Sequence, residues 1–291
     1  MTTAREGRVA VAALFGGATV WGLVWYPYRA LAEGGLPGAP AATVTYLIAL
    51  ALVLPFVRGW PRQPPLLGAL GGLALVTGWS NIGFTLGVIY GDVVRVVLLF
   101  YLSPLWTMLF ARILLGEALT ARGYAVMALA LCGAGVMLWN PAVGAPLPHD
   151  AAEWMALSAG VAFALSNVLS RRMAAVPDAV RACAVFAGGG VVGLAAMLWA
   201  PAAMAWPDGR GVALLVLLGV VLAAVNVSVQ YGLARVPANR AVVIYLFELV
   251  VTATAAWWLV GDVMTVREWA GGGLIVAAGL ASDLARPAKK G

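Results

Sequence analysis

The sequence is short of charge. Only 10% of its 291 residues are Asp, Glu, Lys or Arg, where a soluble domain carries roughly 25%. With 18 basic and 12 acidic residues the outside of a water-soluble fold of this length cannot be covered, so most of the surface must face hydrocarbon. Histidine is nearly absent. The single His149 stands between Pro148 and Asp150, without the partners that a metal site or a Ser-His-Asp arrangement needs, and reads as a solvated loop residue. No metal and no cofactor is expected, and an enzyme is not. No glycine-rich stretch leads into Lys-Ser or Lys-Thr, which excludes a phosphate cradle for an ATP-driven pump. The two cysteines, Cys132 and Cys183, lie inside apolar runs; they form no disulfide framework and read as small packing residues.

What the sequence has in abundance is apolar length: 63% of it is hydrophobic and its mean hydropathy is +0.95. A hydrocarbon core of about 30 Å takes about 20 apolar residues per helix. On that measure the runs 9–31, 39–57, 66–89, 93–111, 121–139, 151–170, 180–200, 212–234, 240–260 and 267–284 predict an all-α membrane protein of ten spans. The polar N-terminus precedes a membrane helix and not a removed signal. The net charge of +6 raises the question of nucleic acid, but the basic residues recur singly or in pairs between apolar runs, the pattern of topology-setting charges. With the N-terminus inside, all Lys and Arg except Arg29, Arg95, Arg210 and Arg267 fall on the inner side, while Glu33, Asp92, Asp150, Glu153, Asp208, Asp262 and Glu268 collect outside. That places both termini in the cytoplasm. Arg29, Arg95 and Arg240, close to span ends, read as headgroup-seeking, with a gating ion pair as the other reading.

The sequence also repeats. A shift of 145 residues lays Gly87 on Gly232, Arg95 on Arg240, Gly116 on Gly261 and Thr120 on Thr265; a shift of 142 lays Ala10 on Ala152 and Arg29 on Arg171. Residues 1–139 and 151–291 are therefore two five-helix repeats joined by the loop 140–150. Because five is odd, the copies enter the bilayer from opposite sides. Glycines four apart, Gly68 with Gly72, Gly83 with Gly87 and Gly189 with Gly193, read as close-packing sites.

Polar groups at membrane depth mark the candidate site, since each must face a partner or a watery chamber. Thr77, Asn81 and Thr85 share one face of the third span, Asn226 and Gln230 one face of the eighth, and the repeat shift superposes them. Interhelical hydrogen bonds and a chamber lining are both open for them. Phe100, Ser103 and Thr107 in the fourth span correspond to Tyr245, Glu248 and Thr252 in the ninth, and Glu248 is the one acid deep inside a span. It either binds a substrate ammonium or carries a coupling proton, the alternative being a structural carboxylate. The shift of 142 lays Trp21, Trp25 and Tyr28 of the first span on Phe163, Asn167 and Ser170 of the sixth. Trp79 points away from Asn81 and reads as packing. Pro104 interrupts the fourth span, by a packing kink or by freeing a carbonyl toward the chamber.

The substrate-binding candidates are thus Trp21, Trp25, Phe100, Phe163 and Tyr245 for an apolar body, and Asn81, Ser103, Asn167, Asn226, Gln230 and Glu248 for a polar end. Such a lining suits a small organic solute, moved by one half rocking against the other. The spans 121–139 and 267–284 pack outside, free to join the two repeats or two copies of the protein.

Trp21-Gly22, Leu102-Ser103-Pro104, Gly116-Glu117 and its echo Gly261-Asp262 give the chain a resemblance to the drug/metabolite transporter superfamily, EamA type, over its whole length. Within that superfamily it is similar to the YddG-type exporters of aromatic amino acids. It departs by Leu249 where members commonly repeat the proline of the fourth span, and by Asp262 where the first turn has Glu. The resemblance implies a secondary transporter of a bacterial cytoplasmic membrane that exports amino acids, aromatic ones included, with a multidrug or metabolite exporter as the alternative.

Overall fold

In the computed structural model, residues 4–91, 93–139, 147–199, 204–261 and 263–281 are described. Asp92, Asp262, part of the connecting loop at 140–146 and the C-terminal residues from 282 onward, which include Arg286, Lys289 and Lys290, lie outside them. Every regular element among the described residues is a helix. In chain order these are α1a (Ala4–Leu23), α1b (Trp25–Glu33), α2 (Gly38–Val53), α3 (Pro64–Tyr90), α4a (Val93–Phe100), α4b (Ser103–Leu115), α5 (Ala121–Leu138), α6 (Ala151–Arg172), α7 (Asp178–Trp199), α8 (Gly209–Arg235), α9a (Ala238–Tyr245), α9b (Phe247–Val260) and α10 (Val266–Ala281). Counting interrupted helices once, nine spans among the described residues are long and apolar enough to cross a membrane. The tenth predicted span is the 16-residue α10, and its predicted end at 284 lies outside the described residues.

The repeat is visible in how helices begin and break. α4 and α9 are interrupted at matching points, and both end on a left-handed glycine, Gly116 at φ 67° and Gly261 at φ 81°, a conformation that costs glycine alone nothing. Thr120 caps α5 by accepting from the Gly123 N–H at 3.1 Å. Its repeat mate Thr265 caps α10, with Glu268 returning a bond to the Thr265 N–H at 2.6 Å, a reciprocal capping box. The turn at 116–120 lies beside Arg171 and Ala238, whereas Arg267, just after the second turn, reaches the Trp139 carbonyl at the far end of α5. The matching turns therefore sit at opposite ends of the bundle, as an inverted repeat requires.

The repeats are interleaved. α6 packs on α3 and on both halves of α4, and α1a packs on α8 and both halves of α9, while α7 joins α3 to α2 and α5 pairs with α10. Small residues make the closest crossings. A Cβ on Gly188 would stand 1.8 Å from the Ala74 carbonyl oxygen, and one on Gly78 2.3 Å from the Gly188 carbonyl oxygen. The backbones of α3 and α7 thus touch. Gly188→Ala is expected to cost about 3 kcal/mol, the upper part of the overpacking range, because the obstacle is backbone and cannot rotate away. A thermal melt in detergent unchanged from that of the parent would refute this. Gly189 and Gly193 meet Tyr46 and Thr43 of α2, and Gly87 meets the Ala152 carbonyl of α6, but Gly68 and Gly72 have nothing within 4 Å. That last pair flanks open space and is not a packing site.

Two arginines depart from their expected places. Arg95 does not seek headgroups: its guanidinium grips both carboxylate oxygens of Glu153 and donates to the Leu147 carbonyl at 2.8 Å. Glu153 is itself buried and accepts the His149 N–H at 2.8 Å. The pair fastens the start of α4 to the start of α6. Arg181, one of the inner-side charges at the start of the predicted span 180–200, is fully buried. It gives hydrogen bonds to the carbonyls of Val176 (3.2 Å), Ser170 (2.9 Å) and Gln230 (3.0 Å) and to Asp178. A planar fork of five donors can meet acceptors on several sides at once, which is why arginine can be buried here and lysine could not be satisfied as fully.

Candidate functional site

The breaks in α4 and α9 place their middle residues against α6. Tyr101 and Leu102 form the turn between α4a and α4b, and Pro104 sits in the first turn of α4b, where a missing N–H is no loss. The carbonyl that Pro104 cannot engage belongs to Phe100, and it faces Gly160: a Cβ there would lie 2.6 Å from that oxygen. It is therefore directed at the α6 backbone and not at a chamber. α9 breaks at Leu246 with Leu249 in the proline's place, and Leu249 keeps a 3.1 Å bond to the Leu246 carbonyl. Proline is not needed for the interruption.

From this junction runs a chain of rings. Phe84 of α3 lies 4.7 Å from Phe100, Phe100 lies 5.5 Å from Phe163, and Phe163 lies 5.7 Å from Tyr245. Four helices of both repeats thus share one aromatic wall, with tilted rings at separations where aromatic pairs attract. Phe100 also meets the Tyr101 ring edge-on, and the Tyr101 hydroxyl interacts with the Glu248 side chain. Glu248 is held from its other side by the close crossing of α1 and α9b. A Cβ on Gly22 would come within 2.9 Å of the Glu248 carbonyl oxygen, and the Thr252 hydroxyl donates to the Gly22 carbonyl at 3.2 Å. The acid is partly exposed, as a group bordering a chamber would be.

Several polar atoms are buried without a hydrogen-bond partner: the Tyr245 hydroxyl on the wall itself, and the indole N–H of Trp25, Nδ2 of Asn167 and Oδ1 of Asn226. Buried orphans of this kind are rare and call for a ligand or water. Thr77 and Asn239 have them too. Other candidates are already used by the protein. Asn81 accepts from the Tyr46 hydroxyl at 2.6 Å and donates to the Thr77 carbonyl at 2.8 Å, so it fastens α2 to α3. Gln230 takes a 3.4 Å bond from Arg181. Ser103 is buried at the start of α4b, its carbonyl accepting from Thr107. Trp21 packs with Tyr46, Phe186 and Leu222 and makes no ring contact with the wall among the described residues. Trp79 donates to the Ser158 hydroxyl at 3.1 Å, a packing role. Among the described residues no three His, Cys, Asp or Glu side chains converge as metal ligands would.

The sequence pattern of the EamA-like transporter family matches this chain twice, over residues 8–139 and 151–281. The chain belongs to the EamA-like transporter family. It is a multi-pass membrane transporter whose two repeats each carry one copy of the pattern. A solved crystal structure resembles this transporter with a TM-score of 0.77 over 96% of this chain and 99% of that one, at 22% identity, a likeness of fold alone. No curated protein sequence matches it.

The transporter is shut at one end. Where α4b terminates, Glu117 accepts from Arg171 of α6 at 3.2 Å and from the Ala238 N–H of α9a at 2.9 Å, and Arg171 also donates to the Ala234 carbonyl at the end of α8. Ala111, Val168 and Ala238 are fully buried beside these bonds. At the other end α4a and α9b form no comparable contact among the described residues.

Proposed function

We propose that this transporter exports small organic solutes, amino acids including aromatic ones, across a bacterial cytoplasmic membrane by alternating access. The observation that carries the reading is the aromatic wall of Phe84, Phe100, Phe163 and Tyr245 ending at Glu248 through Tyr101. An apolar body lies on such a wall while a cationic amine meets the carboxylate, and the orphaned groups of Asn167, Asn226 and Tyr245 suit the substrate's remaining polar atoms. Lipophilic cations suit the same wall and acid, which keeps a multidrug exporter as the second reading.

The packing favours rocking bodies that differ from the sequence repeats. α6 goes with α3 and α4, and α1a goes with α8 and α9, while α1b packs on α2 and α8, so each body mixes the two halves. The closed end carries Arg112, Arg171, Arg235 and Arg240, the side assigned to the cytoplasm by charge, so this state is closed toward the cytoplasm. Purified protein in sealed liposomes, offered tryptophan, phenylalanine, threonine and a cationic drug side by side, tests the substrate reading. Uptake of the aromatic amino acids, with weak competition by the drug, is the expected result. Absence of flux for every amino acid would end the claim.

A further inference from the structure

The inverted repeat lets the shut end describe the open one. Alternating access in such folds exchanges the conformations of two equivalent halves, so contacts that close one end have mates that close the other. The shift of 142 lays Arg171 on Arg29 and Val168 on Tyr26; the shift of 145 lays Ala234 on Ile89 and Ala111 on Ala256. Two of the mates are markedly more exposed here. Val168 is fully buried while Tyr26 is 44% exposed, and the Arg171 side chain is 26% exposed against 56% for Arg29. Arg29 makes only an exposed ion pair with Glu33, one turn along its own helix, at 3.1 Å. A pair of that kind holds a side chain weakly and releases it at little cost.

We infer that Arg29 is the latch of the opposite state. When the outer end closes, Arg29 leaves Glu33 and donates to the Ile89 carbonyl at the end of α3, as Arg171 now does to Ala234, while Tyr26 and Ala256 meet in the plug that Val168 and Ala111 now form. The acid laid on Glu117 is Asp262, outside the described residues; Arg29 and the Tyr26–Ala256 pair are placed without it. The inference rests on the alternating-access reading. It makes Arg29 and Arg171 opponents: each stabilises one end's closure, and removing one shifts the population toward the other's state.

The test uses full-length protein in liposomes with Cys132 and Cys183 replaced by Ser, and Tyr26→Cys with Ala256→Cys as a pair for a short bifunctional thiol reagent. Arg171→Ala is expected to raise the cross-linked fraction about tenfold by loosening the inner end, the effect of one charge-assisted hydrogen bond on a two-state balance. Adding Arg29→Ala should return it to the starting level, and Arg29→Lys should recover part of the gain. Cross-linking that rises with Arg171→Ala and ignores Arg29 overturns the latch but leaves alternating access standing. Failure of the pair to cross-link in every variant, with substrate present and absent, overturns both, because the outer end then does not close where the repeat places it.

Discussion

Arg181→Ala is expected to lose about 3–5 kcal/mol of stability, the cost of breaking a buried ion pair by removing one partner, and to lower the melting midpoint in detergent by roughly 10 °C. The arginine has no exposed surface, and its donors serve four different residues: Val176 and Ser170 at the α6–α7 turn, Gln230 on α8 and Asp178 on its own helix. Truncation takes the arginine's donors from three carbonyls and leaves Asp178 with only Arg235, at 3.8 Å. Two further variants separate charge from hydrogen bonding. Arg181→Lys keeps the charge with fewer donors and should fall between parent and alanine. Arg181→Met with Asp178→Asn removes both charges yet still takes the arginine's hydrogen bonds from the carbonyls, so it should remain well below the parent. A double variant as stable as the parent would mean that the ion pair alone mattered, and an unshifted Arg181→Ala would refute the burial itself.

Arg181 also marks what hydropathy can and cannot convey. Along the chain, a charge within a turn of a span end looks the same whether it reaches out to headgroups or folds back onto the carbonyls of a neighbouring helix. Arg29 stays exposed in an ion pair on its own helix, whereas Arg181 and Arg95 fold back onto carbonyls and acids elsewhere in the fold. The difference lies in which acceptors the neighbouring helices offer, and that is a three-dimensional property. The repeat was readable because its markers are locally obligatory: Gly116 and Gly261 hold left-handed backbone, and Thr120 and Thr265 cap helices. Phe100, Phe163 and Tyr245 were found by spacing and do meet in space. Phe84, three residues after Asn81, lies on the face already singled out, but a ring among apolar residues gives no contrast. Tyr101 was invisible for a different reason. It falls in the turn between α4a and α4b, where helical register restarts and residue spacing no longer reports direction. The opposite failure affected Asn81 and Gln230, whose spacing was right but whose side chains are occupied by Tyr46 and Arg181.

Glu248→Gln is expected to reduce transport about a hundredfold or more, the range for removing one partner of a charged contact that bound substrate buries. The change keeps the shape of the side chain and a group that can still bond Tyr101, so helix packing at Gly22 and Thr252 should survive and the melting midpoint should hold. That makes the loss assignable to charge. The two roles open to the carboxylate then separate in one comparison. If Glu248 receives the substrate's ammonium, the variant loses both net uptake and exchange of labelled for unlabelled substrate, since neither can proceed without binding. If it carries a coupling proton, exchange persists while net uptake driven by a pH gradient fails, because substrate still binds and only the gradient's leverage is gone. Tyr101→Phe gives the control in the same site: it removes the hydroxyl that interacts with the carboxylate and keeps the ring against Phe100, so transport should fall by no more than about tenfold. Full activity in Glu248→Gln, with its pH profile unmoved, would make the carboxylate structural and leave the aromatic wall to select substrates without it.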